Sequence, residues 1–287
     1  MNPFATSEEM FYRHSWKAPI GGLILVGAAG LLSTLILGLI YGYIMYYIPF
    51  IYIKVFIMVG YPFAIGIILS LAVQRGKVRN NLLVGLAGVG FGLLADYMGW
   101  VAWIAAALKS TEYLMVFFYP GDILYFMQEV AEVGIYVIGS SRPTGAILYL
   151  AWLVEAVVVV GGTAFMVLKL HRDTPFCEEC NEWVETERYI GLFTPLTNTS
   201  KFKRGILEGN YTIFNELIPS QTGNQFIKLT MYECRTCQNF RLLNVKKLKL
   251  SVNSKKQLES NEEKVITNLR VTPGLSSALA RLAQDQY

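Results

Sequence analysis

All four cysteines of the chain fall in two C-x-x-C pairs, Cys177-Glu178-Glu179-Cys180 and Cys234-Arg235-Thr236-Cys237. A C-x-x-C step turns the backbone so that both sulfurs face one point. Two such turns can close a tetrahedron around a soft or borderline cation. Four thiolates leave no ligand position open, so the chemistry is that of a structural four-cysteine site and not of catalytic zinc. Zinc is the first expectation, with iron the other metal of this class. The rival chemistry is a pair of disulfides or redox-active thiols. A thioredoxin-type pair opens a helix after a strand within a βαβ pattern, and no such pattern surrounds either pair. Asn181 and Gln238 follow the pairs, where glycine often helps. Asn tolerates a left-handed turn, so Gln238 is the less comfortable position.

Two carboxylates stand in otherwise apolar sequence, Asp96 and Glu155. Ionisable groups inside a membrane are costly, and they usually face a helix bundle or water. At a rise of ~1.5 Å per residue, Asp96 lies roughly 18 Å from the end of its helix at Leu108 and Glu155 roughly 14 Å from Ala146. These matching depths predict that the carboxyls approach each other or a shared polar partner. Two acids that close should not both ionise. Their functional reading is a proton or cation site, and the plainer reading is hydrogen bonding between helices. Lys54, closer to the same membrane surface, is expected to snorkel.

A third cluster is basic: Arg241, Lys246, Lys247, Lys249, Lys255 and Lys256, with no acid among them. It could meet nucleic acid or an anionic leaflet. Lys247 and Lys249 alternate with Leu248 and Leu250, so a solvated strand face is favoured. The net charge of +4 gives no reason to expect nucleic acid. His14 and His171 are the only histidines. Neither a nucleophile–base arrangement nor a phosphate loop is suggested, and the expectation is a non-enzymatic protein.

The elements that must hold these residues fall into two halves. Of 287 residues 16% are charged, against about 25% in soluble proteins, and the deficit lies before residue 170. No charged residue occurs from Ala18 to Ile53, far longer than a signal-peptide core. A span needs about 20 apolar residues, which predicts four membrane helices over 19–47, 50–73, 81–108 and 146–168. Pro49 breaks the first pair. Gly30, Thr34, Gly38 and Gly42 share one face of the first helix, and Gly88 and Gly92 one face of the third. Such faces admit close helix packing, within the chain or with a second copy as a homo-oligomer. Residues 120–137 read as an amphipathic interfacial helix with an acidic outer face, followed by a turn at 140–145. Residues 1–18 form a polar and aromatic lead. There Thr6 or Ser7 could cap a turn, and Phe11, Tyr12 and Trp16 suit headgroup depth.

Arg13, Lys17, Arg75, Lys77, Arg79, Lys169 and Arg172 all fall on one side of a four-helix arrangement. That predicts both termini in the cytoplasm, where thiols stay reduced. After Pro175 the pattern is strand-like over 183–190, 225–232 and 240–250. It places the second pair at a hairpin tip, as in a zinc ribbon. Fifty-three residues separate Cys180 from Cys234, against about 15–20 in a compact ribbon. The insert is therefore expected to fold as loops and strands of its own. The domain is drawn at 174–250, with 251–287 as a mobile tail carrying one strand (265–271) and a short helix (276–283).

Trp152-Leu-Val-Glu155-Ala, followed by Pro175-Phe176-Cys177-Glu178-Glu179-Cys180-Asn-Glu-Trp183, resembles a group of bacterial membrane proteins. In that group four helices precede a zinc-ribbon-like tail. The resemblance is clear over the fourth helix and first pair and holds elsewhere in outline. It implies a bacterial inner membrane and bound metal, and it transfers no activity. The leading expectation is thus an α-helical polytopic membrane domain anchoring a small β-rich, zinc-ribbon-like cytoplasmic domain that binds a protein partner. The alternative is a small transporter or channel subunit using Asp96 and Glu155. An enzyme with an unrecognised cytoplasmic site is a third, weaker reading.

Overall fold

A computed structural model describes residues 10–134, 143–172, 174–220, 222–237, 239–252 and 258–284. Residues 14–173 form one unit, and residues 1–13 join 174–287 in a second.

Among the described residues, four helices of the first unit are long and apolar enough to cross a membrane: α1 (Ile20–Tyr47), α2 (Ile51–Arg75), α3 (Asn81–Leu108) and α6 (Ala146–Arg172). The break at Pro49 falls between α1 and α2. Asn80 starts α3 by accepting the Leu83 N–H at 3.0 Å, a side-chain cap that satisfies one orphan backbone donor. In the bundle α1 and α6 each pack against both α2 and α3. Outward-facing Ile24, Phe56, Leu93 and Leu150 are exposed, as suits a lipid-facing surface.

The glycine faces set how close the helices come. A Cβ on Gly42 would stand 2.4 Å from the Gly99 carbonyl oxygen, and one on Gly38 would stand 2.6 Å from Met98 Cβ. A Cβ on Gly88 or Gly92 would likewise stand 2.8 Å from the Cα of Ala164 or Val160, respectively, in α6. These faces are consumed inside the chain, so they do not offer a second copy the contact expected of them.

The connection holds two helices, α4 (Tyr113–Phe118) and α5 (Pro120–Val133). The apolar side of α5 rests on the bundle. Ile123, Phe126 and Met127 pack with Met98, Val101 and Ile104 of α3, and Ala131 with Leu148 and Trp152 of α6. α5 ends at Val133; the expected extension over 135–137 and most of the 140–145 turn lie outside the described residues.

The second unit is built on an antiparallel sheet in the order β3 (Glu187–Phe193), β4 (Gln225–Glu233), β5 (Arg241–Val252), β6 (Leu258–Arg270). Period-two alternation puts Ile227 and Leu229 of β4 and Leu243 and Val245 of β5 on one face, and a register shift in β6 brings Ile266 and Leu269 to the same face. The insert closes that face with a helix, α7 (Thr199–Leu207), and a 3-10 turn (Tyr211–Glu216), through Phe202, Ile206, Ile213 and Phe214. The expectation of loops and strands alone is corrected there. Asn198 caps α7 by accepting the Lys201 N–H at 2.9 Å.

The tail is corrected more strongly. β6 is a full strand, and α8 (Pro273–Gln284) sets Leu275, Leu279 and Leu282 into the core. The domain therefore extends well beyond residue 250. Phe11 and Tyr12 of the lead belong to the β domain: Phe11 bridges Leu269, the Tyr12 N–H donates to the Asn268 carbonyl at 2.8 Å, and the Arg270 N–H to that of Met10 at 2.9 Å. Residues 10–12 thus extend the sheet beside β6. The cap expected at Thr6 or Ser7 lies outside the described residues.

The opposite sheet face carries a polar network. Thr230 Oγ1 and Asn244 Nδ2 both donate to Glu187 Oε1, and Lys246 Nζ lies 3.4 Å from the same oxygen. Asn244 Oδ1 accepts the Asn268 N–H at 2.7 Å, where Asn268 has φ +56° and the β5–β6 register shifts. Burial opposes ionisation of Glu187. The donors from Thr230, Asn244 and Lys246 outweigh it and hold the carboxyl below its ordinary 4.5.

Two outcomes follow. Leu275→Ala, at a fully buried position, should destabilise the β domain by about 2–5 kcal/mol, read by thermal melting; no change would restore the mobile tail. Glu187→Gln should destabilise the domain at neutral pH. A depressed carboxylate pKa stabilises above the unfolded value and stops doing so as pH falls through the folded value. The melting-temperature gap to the parent protein should therefore close as pH falls through the carboxylate's lowered pKa, below its ordinary 4.5.

Candidate functional site

The first cysteine pair sits on a hairpin of β1 (Phe176–Cys177) and β2 (Glu182–Trp183), registered Phe176 to Trp183 and Cys177 to Glu182. Asn181 closes the turn at φ +53°, the left-handed conformation that Asn accepts. The second pair links β4 to β5, and the Cys234 N–H donates to the Phe240 carbonyl at 3.0 Å. Gln238 lies outside the described residues.

These two turns bring the four sulfurs within 4.8 Å of one another, with Cys177 and Cys237 Sγ 3.7 Å apart. A tetrahedron with Zn–S bonds of ~2.3 Å has sulfur–sulfur edges of ~3.8 Å. All four side chains are free thiols. The donor set and spacing therefore fit one tetrahedral metal ion held by Cys177, Cys180, Cys234 and Cys237. Cys177 and Cys234 are buried, and the other two are half-buried.

The thiols differ electrostatically. Backbone N–H groups of Phe240 and Asn239 favour the Cys237 thiolate and bring its pKa down to about 7, whereas burial pushes the Cys177 thiol up. Glu182 Oε1 accepts from Cys234 Sγ at 3.2 Å and from Thr236 Oγ1 at 2.6 Å. It ties the first hairpin to the second knuckle.

Around the sulfurs pack Val184, Tyr232 and Phe240. Phe176 meets Trp183 edge to face at 4.9 Å. The lead contributes Tyr12, whose hydroxyl accepts the Phe176 N–H at 2.9 Å and whose ring meets Phe240 at 5.5 Å. Nothing in the sequence marked Tyr12 for this role, because its partners lie far along the chain, Phe176 among them at a separation of 164 residues.

In the bundle, Asp96 and Glu155 line one cavity of about 30 Å³ together with Tyr41, Met45, Gly99, Trp100, Trp103 and Trp152. The Tyr41 hydroxyl donates to Glu155 Oε1. Tyr41 stacks on Tyr61 at 4.2 Å, and the Tyr61 hydroxyl donates to the Ala95 carbonyl at 2.9 Å. The sequence signal for Tyr41 was available: it directly precedes Gly42 of the close-packing face. Lys54 does not snorkel; it is only 9% exposed and lines a neighbouring cavity with Glu155.

The basic cluster is interleaved with acids in space. Arg241 Nε lies 2.6 Å from Glu233 Oε1, and Lys246 pairs with Glu187 and Glu262. Lys228 also pairs with Glu262, at 2.7 Å. Lys247 stands opposite Glu263 and Lys249 opposite Asn261. Lys255 and Lys256 lie outside the described residues.

No protein-family model, curated protein or solved structure matches this chain.

Binding of a metal by four thiols releases their protons, so retention should fall steeply as pH drops below about 7. Cys237, whose thiolate the backbone N–H groups favour, should hold its charge to lower pH than Cys177. Dialysis across a pH series with metal analysis reads this; retention independent of pH down to about 4 would contradict it. Tyr12→Phe should cost the β domain about 0.5–1.5 kcal/mol, the worth of one hydrogen bond.

Proposed function

We propose that this is a non-enzymatic integral membrane protein whose helices anchor a cytoplasmic, zinc-ribbon-like domain that binds a protein partner. The observation that carries it is the convergence of two hairpin turns on four free sulfurs, on a β domain following four apolar helices. Four donors filled by the protein leave no position for substrate, which favours a structural ion that shapes a surface. Zinc is the metal proposed. Reduced thiols and the one-sided Lys/Arg distribution both favour a cytoplasmic domain and termini, and the resemblance noted above favours a bacterial inner membrane.

Topology is tested by Thr111→Cys, at an exposed position. It should react with an impermeant maleimide from outside intact cells, whereas Arg75→Cys should not; the reverse pattern would invert the proposal. Function is tested by Cys180→Ser with Cys237→Ser. The variant should remain in the membrane at normal level, while the β domain becomes protease-sensitive and proteins that co-purify with the parent in mild detergent are lost. Unchanged co-purification with an unfolded domain would reject the partner role.

A further inference from the structure

The cavity at the carboxylates does not stand alone. A second one of about 200 Å³ opens between α2 and α6, and it shares Met45 and Glu155 with the first. Its walls are apolar: Ile51, Val55, Met58, Ile147, Leu148 and Ala151, with Lys54 as the other charged group. Val55 and Ile147 are 49% and 66% exposed, so the slot opens on the surface that faces lipid. Its inner end therefore leads from hydrocarbon to Glu155, which also lines the cavity that holds Asp96.

We propose that the joined cavities bind an amphiphilic primary amine, with its ammonium at Glu155 and Asp96 and its hydrocarbon chain in the slot between α2 and α6.

Charge complementarity picks the head. Asp96 makes no hydrogen bond among the described residues, and Glu155 accepts one from Tyr41. Carboxyl groups at this depth are costly without a counter-charge, and an ammonium supplies one together with hydrogen-bond donors. Three indoles, Trp100, Trp103 and Trp152, line the same cavity, and indole rings attract cations. Size narrows the head further. About 30 Å³ holds roughly one or two waters, which suits –NH3+ and excludes a trimethylammonium. The protein itself supplies the precedent: Lys54 is a tethered primary amine on an alkyl stem, buried in this slot beside Glu155. A free amine of the same kind competes with it.

The test is a titration of the purified full-length protein in a nonionic detergent, read by tryptophan fluorescence. The probes are decylamine, decanol and decanoate at neutral pH. Decylamine should give a saturable change, and decanol and decanoate should not. Glu155→Gln should weaken decylamine binding at least tenfold. Lys54→Met should tighten it severalfold, because the internal competitor is gone. Equal responses to decylamine and decanol would reduce the slot to a lipid crevice and overturn the proposal, as would the absence of saturation by decylamine. A Lys54→Met protein that melts like the parent but binds no more tightly would also overturn it. Glu155→Gln is read only alongside its melting temperature, and Lys54→Met carries the test if Glu155→Gln misfolds.

Discussion

Four sulfurs from pairs that stand fifty-three residues apart in sequence must meet within 4.8 Å, and the β domain is organised by that requirement. Thiols packed so closely are not a stable arrangement by themselves, because each ionised sulfur opposes the next. A divalent cation would resolve the conflict, and its affinity would become folding free energy. The second knuckle is fixed by the β4–β5 register, which pairs Glu233 with Arg241 and leaves Cys234 to Cys237 as the connection. The first is a hairpin of only two residues per strand, too short to hold itself. It is fastened instead by Phe176, Trp183, Glu182 and the hydroxyl of Tyr12.

The membrane half obeys a different constraint. Lipid offers no water to backbone or charge, so every polar group is turned inward or to an end. Glycine faces let α1 approach α3 and α3 approach α6. With α1 and α6 on opposite corners of the bundle, the Tyr41 side chain crosses between them to reach Glu155. The aromatic residues of α3, α5 and α6 then close over the acids, with Trp100 edge-on to Trp152 at 5.0 Å and Trp103 near Phe126 at 6.0 Å.

Much of this was legible in sequence because the signals are local. Apolar length gave the four helices, Pro49 the first break, alternation gave β4 and β5, and cysteine spacing gave both knuckles. What failed was non-local. The polar composition of 251–287 concealed β6 and α8, because only Ile266, Leu269, Leu275, Leu279 and Leu282 reach the core while their neighbours face solvent. Phe11 and Tyr12 looked interfacial because aromatic residues next to an apolar helix suit headgroups equally well. Their true partners, Leu269, Phe176 and Phe240, are set by tertiary folding. Lys54 looked like a snorkelling residue because depth alone does not show the face it occupies. The basic run looked unopposed because Glu187, Glu233 and Glu262 come from other strands.

Whether these sulfurs form the first coordination shell of an ion is the most direct check on the four-sulfur site. X-ray absorption at the zinc edge, on full-length protein purified in mild detergent without added metal, measures that shell. Coordination by Cys177, Cys180, Cys234 and Cys237 predicts about one zinc per chain, with four sulfur neighbours at ~2.3 Å. A shell mixing sulfur with nitrogen or oxygen, or a folded β domain carrying no metal, would contradict it.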